Sequence, residues 1–247
     1  MSFWLSMGGL GFLLFGWAQA LWNLLTDKDI PTEWNLPIDQ TPDALPNPDM
    51  SLSILIPARN EEGNIEKSVR SALAQDWPGK LEVIVVDDRS TDRTPIILKG
   101  LQDQHENLIV IEGREPTEGW LGKPHALHQA QAHATGDWLW FVDADVDLDP
   151  LGARRLIGRT FIQEAQMSSG LGQLEVESFW EKTIQTRMGA VIAGGNPLHE
   201  VNDPEHERAL ANGQCLLFTR DAYEAMGGHE AIKSSVLDDV DFAKKAK

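Results

Sequence analysis

A chain of 247 residues is long enough to bury one large core or two small ones. Apolar residues at 42% and charged residues at 24% place it among globular proteins and outside the disordered class. A formal charge of -17 argues against nucleic acid as a polymeric partner, while a small nucleotide held through a metal ion stays open.

The chain opens with an uncharged run, Ser2–Thr26, that carries Trp4, Trp17 and Trp22. At about 1.5 Å rise per residue such a helix can cross a hydrocarbon layer of about 30 Å. Ala18-Gln19-Ala20 would suit a signal-peptide cleavage site, but no Lys or Arg precedes the apolar run. Residues 1–26 are therefore expected to be a retained transmembrane anchor. Residues 27–50 hold five prolines and six acids and read as an extended linker.

From residue 51 the pattern changes to α/β. Ser51–Pro57 is a continuous apolar run, as expected of a strand buried on both faces. Asn60 is placed to cap a helix with Glu61 and Glu62 in its first turn and Ile65, Val69, Ala72 and Leu73 inside. Leu81–Val86 reads as the second strand, ending in Asp87-Asp88, with Ser90 or Thr91 capping the next helix. Leu108–Ile111 is a third strand, Lys123–Ala134 a helix and Trp138–Val142 a fourth strand ending in Asp143. Strands alternating with helices predict βαβ units and a largely parallel sheet. Further on, Gly170–Val176 is expected as a strand and Phe179–Ile192 as a helix, with Phe179 and Trp180 suited to a membrane interface. Gln214–Thr219 is expected as a strand that buries the single cysteine, Cys215, and a last helix begins near Asp238. That helix is still running where the sequence stops at Lys247, which suggests a longer protein.

The carboxylates at the strand ends are the chemically pointed feature. In open α/β sheets ligands sit beyond the carboxyl ends of the strands. Asp87 and Asp88 follow one strand, Asp143 and Asp145 another. Carboxylates there repel a bare diphosphate unless Mg²⁺ or Mn²⁺ intervenes, held by hard oxygen ligands. Asp143 and Asp145, two apart, project to one side of an extended chain. An EF-hand fails, because Leu148 and Arg154 stand where glycine and glutamate are needed. A phosphatase with Asp143 as nucleophile is the alternative from another reaction class, and a non-catalytic membrane scaffold is a third. No G-x-G-x-x-G or P-loop pattern follows the first strand.

Five blocks, Ile54–Glu62 (ILIPARNEE), Val85–Asp92 (VVDDRSTD), Gly122–Leu127 (GKPHAL), Phe141–Asp145 (FVDAD) and Leu237–Asp241 (LDDVD), together resemble the family 2 glycosyltransferases with the GT-A fold. The resemblance covers residues 51–247 and implies an inverting enzyme that takes a nucleotide-diphosphate sugar, a UDP-sugar or a GDP-sugar, with Mn²⁺ or Mg²⁺. Pro57, Ala58 and Glu61 then form the lip of the nucleotide pocket. Asp88 is similar to the aspartate that bonds the uracil ring, with Asp87 beside it, and Lys123 lies near the diphosphate. Asp143 and Asp145 match the D-x-D pair, Asp145 as metal ligand and Asp143 reaching the ribose or the metal. Asp239 falls on the general base, and Asp238 replaces the glutamate usual before it. Ala211–Tyr223, Gly227–Glu230 and Glu200–Pro204 look like the subgroup associated with hopanoid and carotenoid pathways, which implies a polyprenoid or other lipid acceptor. His229 and Glu230 are placed either near that acceptor or in an exposed loop. Nucleotide sugars are made in the cytosol, so the catalytic domain is expected on the cytoplasmic face of the cell membrane.

Overall fold

The structure, a computed structural model, describes residues 47, 49–170, 175, 178–181, 184–185 and 195–247. The expected anchor at 1–26 lies outside the described residues, as does nearly all of the linker. Among the described residues no helix is long and apolar enough to cross a membrane.

The apolar runs become the centre of a sheet. Strands β1 (Leu52–Ala58), β2 (Leu81–Asp87) and β4 (Trp138–Val142) are buried almost throughout. With β3 (Leu108–Glu112) they pair in parallel, Ala58 standing opposite Asp87 and Leu55 opposite Phe141. Two antiparallel strands complete six in the order β3-β2-β1-β4-β6-β5, where β5 is Met167–Ser169 and β6 is Cys215–Thr219. The chain order reverses between β1 and β4, and a crevice opens at such a switch point.

Helices α1 (Ile65–Leu73), α2 (Thr94–Gln102), α3 (Gly122–Gln131) and α4 (Gly152–Ile162) alternate with the strands. After β6 come α6 (Arg220–Ala225), a 3-10 helix (Gly228–Ile232) and α7 (Asp238–Lys245). Helix α5 (Leu198–Asn202) belongs to a smaller unit of residues 1–37, 173–210 and 247; the larger unit comprises 38–172 and 211–246. Within the smaller unit the Arg208 guanidinium holds Glu200 at 2.6 Å. There also Ser178 and Glu181 exchange backbone-to-side-chain bonds, a reciprocal cap.

Four local expectations change. Asn60 does not cap α1, which starts five residues later at Ile65. Instead Asn60 takes a left-handed conformation, φ 57°, and its Oδ1 accepts the Thr91 N–H at 2.8 Å. Neither Ser90 nor Thr91 caps α2; Asp92 Oδ1 accepts the Thr94 N–H at 2.9 Å. The strand expected at 170–176 forms earlier, at 167–169, and most of 170–176 lies outside the described residues, as does much of 179–192. Helix α4 was not anticipated, although Ala153, Ile157 and Thr160 give it a buried stripe at helical spacing.

The end of the sheet away from the crevice is closed by a buried polar knot. Glu82 accepts from the Ser53 hydroxyl at 2.7 Å and the Thr135 N–H at 2.6 Å. Burial raises this carboxyl, but those bonds and Lys80 outweigh it and hold Glu82 below its ordinary value.

Candidate active site

The carboxyl ends of β1, β2 and β4 and the start of α3 enclose a cavity of about 300 Å³. Its lining includes Pro57, Glu61, Asp88, Lys123, Asp143 and Asp145, six of the residues the sequence singles out. Arg59, Gly122, Ala126 and Ala144 line it as well; they fall within the blocks that carry the family resemblance, without a role assigned to them there. Arg59 directly follows β1, inside the first of those blocks.

Each wall has a local cause. Residues 60–62 and 90–94 are stapled together, so β1 and β2 end in one rigid lip. The Asn60 N–H donates to Ser90 Oγ at 2.9 Å, and the Glu61 N–H to Thr94 Oγ1 at 2.8 Å. Ala58 and Asp87 stand behind the lip and do not line the cavity. The Ala58 carbonyl accepts the Asp88 N–H at 2.7 Å, and Asp87 Oδ1 accepts the Ser90 N–H at 3.1 Å. Beside them Gly113 lets two chains approach closely: a Cβ there would sit 3.0 Å from the Asp87 carbonyl oxygen and the Asp88 Cα.

Asp88 is 5% exposed and bears two guanidiniums, Arg89 Nε at 3.0 Å and Arg59 at 3.6 Å. Hydrogen bonds to Asp88 and Glu115 hold Arg89 above its ordinary value. The base of the cavity is the pair of Lys123 Nζ and Asp143 Oδ1, 2.6 Å apart. Burial pulls Lys123 toward neutrality, but Asp143, Asp238 and Asp239 outweigh it and keep the ammonium above its ordinary value. Burial, with repulsion from Asp145 and Asp238, lifts the Asp143 carboxyl despite Lys123.

Lys123 also links this end to the second acid pair. Its Nζ lies 3.4 Å from the Gly213 carbonyl, and the Gly213 N–H donates to Asp239 Oδ2 at 2.8 Å. The register of β4 against β6 places Gly213 here, through the bond from the Asp143 N–H to the Gln214 carbonyl at 3.3 Å. Asp239 Oδ1 accepts the Val240 N–H at 2.8 Å, so each oxygen keeps a second lone pair. Asp238 is buried, and burial raises its carboxyl although Lys123 lowers it. Helix α7 thus carries both acids to the edge of the field that surrounds Lys123.

His229 does not lie in an exposed loop. It is 0% exposed, packed edge-on against Phe141 and Phe242 with centroids 4.8 and 5.0 Å away. Burial pushes its imidazole down to about 3. The Tyr223 hydroxyl accepts the His229 backbone N–H at 3.1 Å and lies 2.7 Å from the ring Nδ1, with which it shares a hydrogen bond. The turn that inserts the ring needs Gly228, whose φ is +52° and whose missing Cβ would sit 2.8 Å from the Tyr223 ring. Glu230 is exposed.

With this geometry in place, comparison with known proteins gives a direct result. The model of glycosyl transferase family 2 matches residues 53–226. The chain belongs to that family. It is 30% identical over 195 residues to the 4,4'-diaponeurosporenoate glycosyltransferase of Staphylococcus aureus, covering 76% of this chain and 49% of that protein. The chain therefore spans about half the length of the curated relatives it matches. Among solved structures, a mannosyltransferase of Pyrobaculum calidifontis in complex with GDP-Man and Mn²⁺ is similar at TM-score 0.59 and 23% identity, over 93% of this chain and 63% of that one. TarS of Staphylococcus aureus, residues 1–349, is similar at TM-score 0.54 and 21% identity, over 80% of this chain and 55% of that one. These likenesses agree with the family 2 and carotenoid-subgroup resemblance and with a GT-A-like α/β fold.

Proposed function

We propose that this family 2 chain is the catalytic part of an inverting glycosyltransferase that moves a sugar from a nucleotide-diphosphate carrier to an acceptor hydroxyl. The observation that carries the proposal is the bridge from Asp143 through Lys123 and Gly213 to Asp239, which sets the strand-end acids beside the second acid pair. A donor needs the first group and an acceptor the second.

Asp143 and Asp145 offer hard oxygens on one side of the cavity, and among the described residues no three His, Cys, Asp or Glu side chains form a closed metal cage. That donor set fits Mn²⁺ or Mg²⁺ shared with substrate phosphates, since Mg²⁺ commonly takes one or two carboxylates and completes its shell elsewhere. When bound, the cation would neutralise charge growing on the leaving diphosphate. The chain's own residues do the rest. Lys123 supplies a second positive charge at the diphosphate end. The Asp88–Arg59–Arg89 cluster and the lip at Pro57 and Glu61 hold the nucleoside. Asp239 accepts the acceptor's proton as its oxygen attacks the anomeric carbon. The bond from that carbon to the diphosphate breaks in the same displacement, and the nucleoside diphosphate leaves with the electron pair.

The mannosyltransferase neighbour binds GDP-Man, and TarS has been solved with UDP, at TM-score 0.51. We take UDP-sugar as the first donor class to test and GDP-sugar as the second. The S. aureus relative is named for a carotenoid-type acceptor, which supports a lipid or polyprenoid acceptor here. The uncharged run at 2–26 supports attachment to the cell membrane, with the catalytic domain on the cytoplasmic face where donors are made. An aspartyl phosphatase is disfavoured by the match of residues 53–226 to glycosyl transferase family 2.

The test is Asp239→Asn in the full chain. Nucleotide affinity should stay unchanged while sugar transfer falls by about 10²–10⁴-fold, the usual contribution of a general base. Transfer at the normal rate would remove Asp239 from that role.

A further inference from the structure

Lys123 and a divalent cation make claims on the same carboxylate. Lys123 Nζ lies 2.6 Å from Asp143 Oδ1, one of the two strand-end acids whose oxygens suit Mn²⁺ or Mg²⁺. Asp238 and Asp239 pull on the same ammonium, and Asp145 repels Asp143 from within the cavity. The neighbouring guanidiniums are turned elsewhere. Arg89 holds Asp88 at 3.0 Å and Glu115 at 2.7 Å, and Arg59 stands 3.6 Å from Asp88.

The backbone around Lys123 asks for the opposite charge. Lys123 is the second residue of α3, whose first turn holds no acid and whose N-cap makes no side-chain bond. A helix start leaves N–H groups unpaired and favours an anion over a cation. Gly122 and Ala126 bring that start to the cavity wall, and a Cβ on Gly122 would sit 3.5 Å from Asp88 Oδ2. The Lys123 and Asp143 side chains keep 37% and 28% of their surface exposed, so their pair can part without opening the core.

We propose that Lys123 is a place-holding cation, which covers Asp143 and yields it only to a metal ion that arrives with a diphosphate. This rests on the transferase reading and adds the form in which the metal is admitted, as its nucleotide complex. A divalent ion on its own would leave two cations sharing one carboxylate, and they repel. A diphosphate brings negative charge for both. The flexible stem of Lys123 then lets the ammonium exchange Asp143 for the diphosphate at the start of α3.

The test measures Mn²⁺ binding to the full chain through loss of the free-ion electron paramagnetic resonance signal, first alone and then with UDP or GDP. Lys123→Met removes the charge, Lys123→Gln removes it but still donates to Asp143, and Lys123→Arg keeps it. Without nucleotide, both neutral variants should bind Mn²⁺ about tenfold more tightly than the parent or Lys123→Arg. Adding Asp145→Asn to Lys123→Gln should abolish that gain. With nucleotide the order should reverse, the parent binding Mn²⁺ more tightly than either neutral variant. Equal or weaker binding of Mn²⁺ alone to the neutral variants overturns the place-holding role, as does a gain that survives Asp145→Asn. If the gain appears but neither UDP nor GDP strengthens Mn²⁺ binding to the parent, the transferase reading falls and the cover of Asp143 by Lys123 stands.

Discussion

The two sets of acids are positioned by different routes, and only the strand-end set lines the cavity. On the donor side, Asp88, Asp143 and Asp145 follow buried parallel strands, and the sheet itself fixes where they point. On the acceptor side, Asp238 and Asp239 start a short helix, and long-range packing decides their position. Phe242, one turn along α7, packs on Phe218 and His229, and Gly213 reaches across from the β6 side to hold Asp239. A strand end tolerates changes in its surroundings; a helix start held by one glycine and an aromatic block does not. Substitutions remote from the cavity should therefore disturb acceptor chemistry more than donor binding.

The most severe way to break that asymmetry is Gly213→Val. A Cβ there would meet Asp239 Oδ2 at 3.3 Å, and larger groups would push the carboxylate away. Transfer should fall by about 10²-fold, as for a misplacement of about 1 Å, with UDP binding intact by calorimetry. Next comes Lys123→Met, which leaves Asp143 without its partner and removes positive charge from both acid pairs. Nucleotide affinity with Mn²⁺ should weaken by about 10–100-fold in the same titration, the range for a group that supports a metal ligand.

Smaller effects test the aromatic block. His229 is neutral when folded and holds its proton weakly, down to about 3, against about 6.5 when unfolded. The unfolded chain thus binds the extra proton first, so the contribution of His229 is complete above about pH 6.5 and is lost as pH falls toward 3. Denaturant melts of the parent chain between those values should lose up to about 1.4 kcal/mol per pH unit more than melts of His229→Phe. Equal slopes would mean that the imidazole is not so deeply desolvated. The mildest change is Thr94→Ala, which removes the acceptor of the Glu61 N–H and should cost about 1 kcal/mol in the same melts.

The contrast between the acid pairs also explains what could be read from the sequence. VIVVDD and WFVDAD put acids at fixed offsets from continuous apolar runs, so Asp88, Asp143 and Asp145 were legible once the strands were. Gly213 was not, because its contact with Asp239 depends on how an antiparallel β6 registers against β4. The exposed reading of His229 failed for a related reason. A histidine after two glycines looks like a surface loop, and only the left-handed turn at Gly227 and Gly228 folds it inward. Asn60 failed locally: a good capping residue was taken up by the staple to Thr91. Helix α4 had the right spacing, but Arg154, Arg155 and Arg159 between its buried positions masked the stripe.

The most direct test of the central claim, that these acids form one metal-dependent nucleotide-sugar site, is calorimetric titration of UDP, GDP and ADP into the full chain with and without Mn²⁺. Tight binding of one nucleotide only when Mn²⁺ is present, and its loss in Asp145→Asn, is the predicted result. Equal binding with and without metal, or binding unchanged in Asp145→Asn, would contradict it.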